Sequence, residues 1–85
     1  MNHISIHPNP AKNYIELGIK SVNTEKVTIS IYDLNSKLII SDIGFEVSNH
    51  FTSKIINTTD LLSGEYILKI ETNEGSVIQK IIISK

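Results

Sequence analysis

Large β-branched residues recur at every second position along most of this chain, and that alternation constrains its fold more than any other feature. Val27, Ile29 and Ile31 alternate with Thr28, Ser30 and Tyr32. Ile15, Leu17 and Ile19 alternate with Glu16, Gly18 and Lys20, and Tyr66, Leu68 and Ile70 with Ile67, Lys69 and Glu71. A period of two sends successive side chains to opposite faces of an extended strand, so these runs read as half-buried strands. No window of a dozen residues holds helical spacing.

Turn formers interrupt the runs about every 8–12 residues, the interval of a sandwich or barrel. They are Pro8-Asn9-Pro10, Ser21-Val22-Asn23-Thr24, Asp33-Leu34-Asn35-Ser36, a longer loop from Gly44 to Asn49, a compact loop from Asp60 to Gly64, and Asn73-Glu74-Gly75. The expected strands are therefore 3–7, 13–20, 26–32, 37–43, 51–57, 65–72 and 76–84. Short links favour antiparallel pairing, because parallel pairs need longer crossovers. The expected architecture is all-β: a single seven-stranded antiparallel β-sandwich whose two sheets bury one face of each strand. The last strand resists orientation. Val77, Ile81 and Ile83 share a face with Gln79, while Ile78 and Ile82 share the other with Lys80 and Ser84. A strand apolar on both faces is either central or displays aliphatics to a partner.

Composition excludes several classes of function. The 85 residues suit one domain, and 40% hydrophobic content is too high for a disordered tail. Without Cys there is neither a disulfide framework nor a Cys-ligated zinc module. Eight basic residues against nine acidic ones leave a net charge of -1, which does not suit a nucleic-acid binder. The longest apolar runs, Leu38-Ile39-Ile40 and Ile81-Ile82-Ile83, fall far short of the roughly 20 residues of a spanning helix, so no membrane insertion is expected. Met1-Asn2-His3-Ile4 has no charged region followed by an apolar stretch, so no signal peptide is expected there. A domain this small commits most of its aliphatics to one core and spares few for a cavity.

The polar residues yield no catalytic constellation. His3 and His7 share a strand face but lie roughly 13 Å apart at about 3.3 Å per residue, too far for one ion. With no carboxylate nearby in sequence they read as outer-face residues of an edge strand, and His50 has no evident partner. Asp33 and Asn35 begin like a calcium loop, but Lys37 and Leu38 occupy the positions where a ligand and a glycine belong, so Asp33 reads as a turn residue accepting backbone N–H groups. No G-x-S-x-G elbow is present, and Gly18, Gly44, Gly64 and Gly75 are too scattered for a phosphate loop. Asn57-Thr58-Thr59 fits a glycosylation sequon that matters only in a eukaryotic secretory setting. In the compact loop, Thr59 or Asp60 can cap one helical turn through Leu61 and Leu62, both then plugging the end of the core, with Gly64 ending the turn. No cofactor and no metal are expected.

The order of these punctuations resembles a known family. Pro8-Asn9-Pro10-Ala11 comes first, then Val27-Thr28-Ile29-Ser30-Ile31-Tyr32-Asp33-Leu34-Asn35 and Lys37-Leu38. Leu61-Leu62-Ser63-Gly64-Glu65-Tyr66 follows, and Lys80-Ile81-Ile82-Ile83 closes the series. From about Ile4 to Lys85 the chain is similar to the type A C-terminal sorting domain of the type IX secretion system (Por secretion system) of Bacteroidetes. Ser36 departs from the family pattern, which has Gly there, so local strain or a shifted turn type is expected.

The resemblance implies an Ig-like sandwich and a C-terminal secretion signal that directs a cargo protein through the type IX outer-membrane translocon. It implies recognition in the periplasm by translocon components, cleavage by a sortase-like peptidase, and delivery of cargo to the cell surface or the medium. The signal positions carried over are Pro8, Asn9, Pro10, Gly64, Tyr66, Lys80, Ile81, Ile82 and Ile83, and no catalysis is implied. On this reading residues 1–85 are a single sorting domain excised from a larger secreted or cell-surface protein. Physically such a signal acts as a surface, for which the last strand is the best candidate, and a free strand edge also allows an edge-strand dimer. Two other readings compete. One is an Ig-like or fibronectin-like accessory module that binds carbohydrate or protein, which gains if Tyr14, Tyr32 and Phe51 share one exposed face. The other is a small enzyme, disfavoured because no nucleophile, base and oxyanion group converge.

Overall fold

A computed structural model describes residues 3–20, 25–47, 51–72 and 75–85. They form an all-β, antiparallel fold with no helix. The ladder strands are β1 (His3–His7), β2 (Tyr14–Lys20), β3 (Glu25–Asp33), β4 (Leu38–Val47), β5 (Phe51–Asn57), β6 (Gly64–Thr72) and β7 (Gly75–Ile83). One sheet has the order β1-β2-β5 and the other β4-β3-β6-β7.

The alternation decides which face each strand buries. Ile15, Leu17 and Ile19 of β2, Val27, Ile29 and Ile31 of β3, and Leu68 and Ile70 of β6 are each fully buried in one cluster that both sheets share. Tyr66 from β6, Ile56 from β5, Ile81 and Ile83 from β7, and Ala11, Val47 and Leu61 complete it. Full burial of an aliphatic side chain is worth about 1.5–3 kcal/mol, so this shared face holds the sheets together.

Three expectations need correction. The seven antiparallel strands are not the whole pairing, because Ala11 adds an isolated segment that bridges Ile83 in the parallel sense. The break expected at Gly44 is absent: β4 continues to Val47, with Gly44 opposite Thr28 and Phe45 opposite Val27. A Cβ at Gly44 would meet only the Val27 carbonyl oxygen, at 4.0 Å, so the backbone there is ordinary strand. β4 absorbs its irregularity earlier, through register shifts against Ile29, Ile31 and Tyr32.

The third correction concerns the compact loop, which makes no helical turn. Asn57 Oδ1, not Thr59 or Asp60, accepts the N–H of Thr59 at 2.8 Å, and Leu61 N–H donates to the Thr58 carbonyl at 3.0 Å. Thr58 anchors this turn from below: it is fully buried, its N–H donates to Asn13 O, and its hydroxyl donates to Lys12 O. Only Leu61 plugs the core, while Leu62 is 81% exposed. The breaker at 21–24, His50, and the Asn73-Glu74 portion of the last turn lie outside the described residues.

The turn after β3 behaves as its sequence indicates. Asp33 Oδ1 accepts the backbone N–H groups of Asn35 at 2.8 Å and Lys37 at 2.9 Å. Ser36 stands at φ 67, the left-handed region where Gly is favoured, so the departure from the family's Gly does carry local strain.

Candidate recognition surface

The residues singled out at the two ends of the sequence meet at one sheet edge. β7 is the outermost strand of its sheet: β6 is its ladder partner on one side, and on the other the Ala11 segment bridges only its last residues. Beyond β1 the chain turns through Pro8, Asn9 and Pro10 and runs as a strap along the last residues of β7. Asn9 Oδ1 accepts the N–H of Ile82 at 3.0 Å. Ala11 N–H donates to Ile82 O, and Ser84 N–H donates to Ala11 O, both at 2.8 Å. The prolines lack N–H groups, so they end β1 without leaving donors unpaired at this crowded edge.

Across the β6–β7 ladder the register places Gly64 opposite Ile83, Glu65 opposite Ile82, Tyr66 opposite Ile81 and Ile67 opposite Lys80. Gly64 opens β6 at φ 156, a backbone angle that residues with a Cβ seldom adopt. Tyr66 buries its ring in the core and donates its hydroxyl hydrogen to Leu62 O at 2.7 Å. Ile81 and Ile83 point inward and are buried, whereas Ile82 remains 38% exposed on the outer face. The Lys80 ammonium pairs with the Glu65 carboxylate on that same outer face.

Lys85 reinforces this end, although no sequence signal marked it. Its Nζ donates to Thr58 O at 3.2 Å and Thr59 O at 2.6 Å, and its N–H donates to Ser63 Oγ at 3.0 Å. The last residues of the chain are thus tied to the strap, to β6 and to the compact loop together. All nine positions that the family resemblance singles out fall in this zone, but they divide in two. Tyr66, Ile81 and Ile83 build the core, while Pro8, Asn9, Pro10, Gly64, Lys80 and Ile82 are exposed.

Beside this zone, the outer face of the four-stranded sheet carries a shallow groove of about 250 Å³, lined among others by Tyr32, Leu34, Ile67, Lys69 and Ile78. Its carboxylate, Asp33, is committed to the turn described above. Lys69 pairs with Glu71 at 4.0 Å, so the groove is apolar with its flanking charges balanced.

The aromatic rings do not form one platform. Tyr14 and Phe51 sit at opposite ends of the outer face of the β1-β2-β5 sheet, Tyr14 opposite Asn57 and Phe51 opposite Lys20, while Tyr32 belongs to the other sheet. The carbohydrate-binding alternative therefore loses its support. His7 lies on edge strand β1, its Nε2 3.6 Å from Glu16 Oε1. That carboxylate neighbour is set by strand pairing, nine positions away in the chain, and spacing alone does not reveal it. Among the described residues, no three His, Cys, Asp or Glu side chains gather as metal ligands.

A protein-family model described as the secretion system C-terminal sorting domain matches residues 5–84. The chain belongs to this family. It is a C-terminal signal for type IX secretion, a β-rich sorting domain of the kind found in Bacteroidetes. Its family role is that of an address, read by the secretion machinery on the way to the cell surface or beyond. Among curated proteins, none matches the chain. The sorting domain's match extends from β1 to the residue after β7, so it includes both the strap and the edge it closes.

Proposed function

We propose that this chain is a type A sorting domain with an Ig-like sandwich fold, carried at the C-terminus of a larger secreted or surface cargo protein. On this reading translocon components recognise it in the periplasm, and a sortase-like peptidase then removes it. The cargo is released or joined to anionic lipopolysaccharide. The domain contributes shape rather than chemistry: no cofactor, no nucleic acid and no insertion into the membrane.

The observation that carries this reading is the convergence of the strap, Gly64, Lys80 and Ile82 on one exposed end of β6 and β7. A folded label needs a rigid surface whose parts come from distant stretches of chain, so that only the folded state is read. This edge has that character. Hydrogen bonds from Asn9 and Ala11 fix β7, and the Glu65 pair fixes Lys80.

The test is fusion of residues 1–85 behind a signal peptide and a reporter in a Bacteroidetes host. Delivery to the surface or medium that depends on the translocon supports the reading, and retention in the periplasm rejects it. Deleting Lys80 to Lys85 removes two core isoleucines as well, so it tests folding as much as recognition. The sharper variants are Lys80→Glu and Ile82→Asp, whose side chains are exposed. They are expected to hold the reporter in the periplasm while the purified domain still unfolds cooperatively.

A further inference from the structure

The strap closes only part of the β7 edge. Ile82 directs its N–H and C=O away from β6, toward Asn9 and Ala11, and Ser84 directs its N–H the same way. In an antiparallel ladder this direction alternates residue by residue. The β6–β7 register is uninterrupted, so Ser76, Ile78 and Lys80 also turn their backbone groups to the open side. Among the described residues, the contact recorded there is a long one within the strand itself, from Gln79 Nε2 to Lys80 O at 3.3 Å.

This open segment shows one exposed aliphatic on each face. Ile78 is 64% exposed on the outer face, and Val77 is 38% exposed on the inner face, where neither sheet covers it fully. We infer that the open edge of β7 pairs with the same edge of a second copy of this chain, antiparallel and about a twofold axis through Ile78. The pairing joins the two four-stranded sheets into one continuous sheet.

Self-complementarity and length select this occupant. With Ile78 facing Ile78 of the second copy, Ser76 faces Lys80 and Lys80 faces Ser76, so no like charges meet across the ladder. Lys80 is already neutralised by Glu65 of its own chain. The seat runs from Ser76 to Lys80, bounded by the start of β7 at Gly75 on one side and by the Asn9 strap at Ile82 on the other. That span holds the register centred on Ile78, whereas slipping the second copy toward Ile82 drives it into the strap.

The other edges fit less well. β4 is bulged and carries Asp42 and Glu46. β5 carries Lys54 at its centre, a residue type that blunts strand edges. β1 runs directly into Pro8. Charges, irregularity and Pro are among the features that blunt strand edges against pairing, and the Ser76–Lys80 segment of β7 lacks them apart from one Lys paired with Glu65. This inference does not rest on recognition by the translocon, since pairing uses the backbone edge and leaves the outer-face Ile82 and the strap uncovered.

Sedimentation equilibrium of the 85-residue chain tests it. The seat is smaller than a stable interface of roughly 1,000 Å², so a monomer–dimer equilibrium with a Kd of about 0.1–1 mM is expected. Ile78→Pro removes an N–H that points away from β6, so the fold is retained and the Kd rises at least about tenfold. If that variant fails to fold, Ile78→Lys sets like charges across the twofold and serves instead. The chain lacks Cys, so register is read directly: Ile78→Cys links to its own copy on oxidation, and Ser76→Cys mixed with Lys80→Cys gives the mixed dimer preferentially. A chain that stays monomeric at about 1 mM, a dimer indifferent to Ile78→Pro and Ile78→Lys, or cross-linking only through cysteines placed on another edge overturns the proposal.

Discussion

Asn9 Oδ1 accepts the backbone N–H of Ile82 at 3.0 Å, joining residues 73 positions apart in the chain. Through this bond the segment after β1 becomes part of the four-stranded sheet, although β1 itself belongs to the other sheet. The strap is therefore a link between the sheets as well as a cover for one of them.

Removing that acceptor should weaken the domain without unfolding it. The Ile82 N–H stands at an exposed edge and turns to water when Asn9 is truncated. Asn9→Ala is expected to cost about 0.5–1.5 kcal/mol, and Asn9→Asp, which keeps an acceptor oxygen, much less. Urea unfolding midpoints measure the difference. Equal losses for the two variants would show that the bond itself contributes nothing.

The turn after β3 holds a residue that is not at its best. Ser36 adopts φ 67, which costs a residue with a Cβ more than it costs Gly. Ser36→Gly is expected to stabilise the domain by about 0.5–1 kcal/mol, the strain relieved exceeding the extra freedom Gly gains when unfolded. Thermal melting of the single variant checks this, and a lowered midpoint refutes it.

Tyr66 combines a ring in the core with a hydroxyl that donates to Leu62 O. These two roles separate by substitution. Tyr66→Phe should cost about 1 kcal/mol for the lost hydrogen bond. Tyr66→Ala should cost about 3–5 kcal/mol, as for other large aromatic truncations, enough to unfold much of a domain this small. Denaturant titration of both variants tests the order, and a loss from Phe as large as that from Ala would contradict it.

Gly18 lies beneath the Phe51 ring. A Cβ placed there would stand 2.7 Å from Phe51 Cζ and 2.7 Å from Ser5 Oγ. Gly18→Ala is therefore expected to displace the ring, which is 61% exposed and free to move, at a cost of about 1–2 kcal/mol. In Phe51→Ala the same substitution should cost clearly less, so a double-mutant cycle gives a coupling above about 0.5 kcal/mol. Strict additivity would show that the ring does not rest on Gly18.

Much of this could be read from residues in order. The inward faces of β2, β3 and β6 follow directly from their alternation, because a strand has only two faces and one of them must be apolar. The Asp33 turn was legible as well, since Asp reaches the backbone N–H groups just ahead of it and needs no distant partner. The Gly44 break failed as an expectation because a Gly inside a strand and a Gly in a loop look alike in one dimension. The helical turn at Thr59 failed for a related reason. Capping residues mark several kinds of turn, and buried Thr58, tied to Lys12 and Asn13, selected the tighter one.

The candidate surface was legible as a set of residues but not as a place. The prolines, Gly64, Tyr66 and the Lys80-Ile81-Ile82-Ile83 run stood out in sequence, yet nothing there placed Asn9 against Ile82 or Lys80 against Glu65. Lys85 escaped notice because its three partners lie 22, 26 and 27 positions earlier.

What the sequence determined by itself is the β class, the inward faces of its strands, and the family, because each depends on residue type and short spacing. The tertiary structure decided which strand became an edge, how the strap covered half of it, and which half stayed open. Those outcomes depend on pairings between distant segments, where backbone groups with no side-chain signature choose their partners. The apolar residues on both faces of β7 stated that something had to be resolved there. Only the sheet order showed that Ile81 and Ile83 meet the core while Val77 and Ile78 remain exposed.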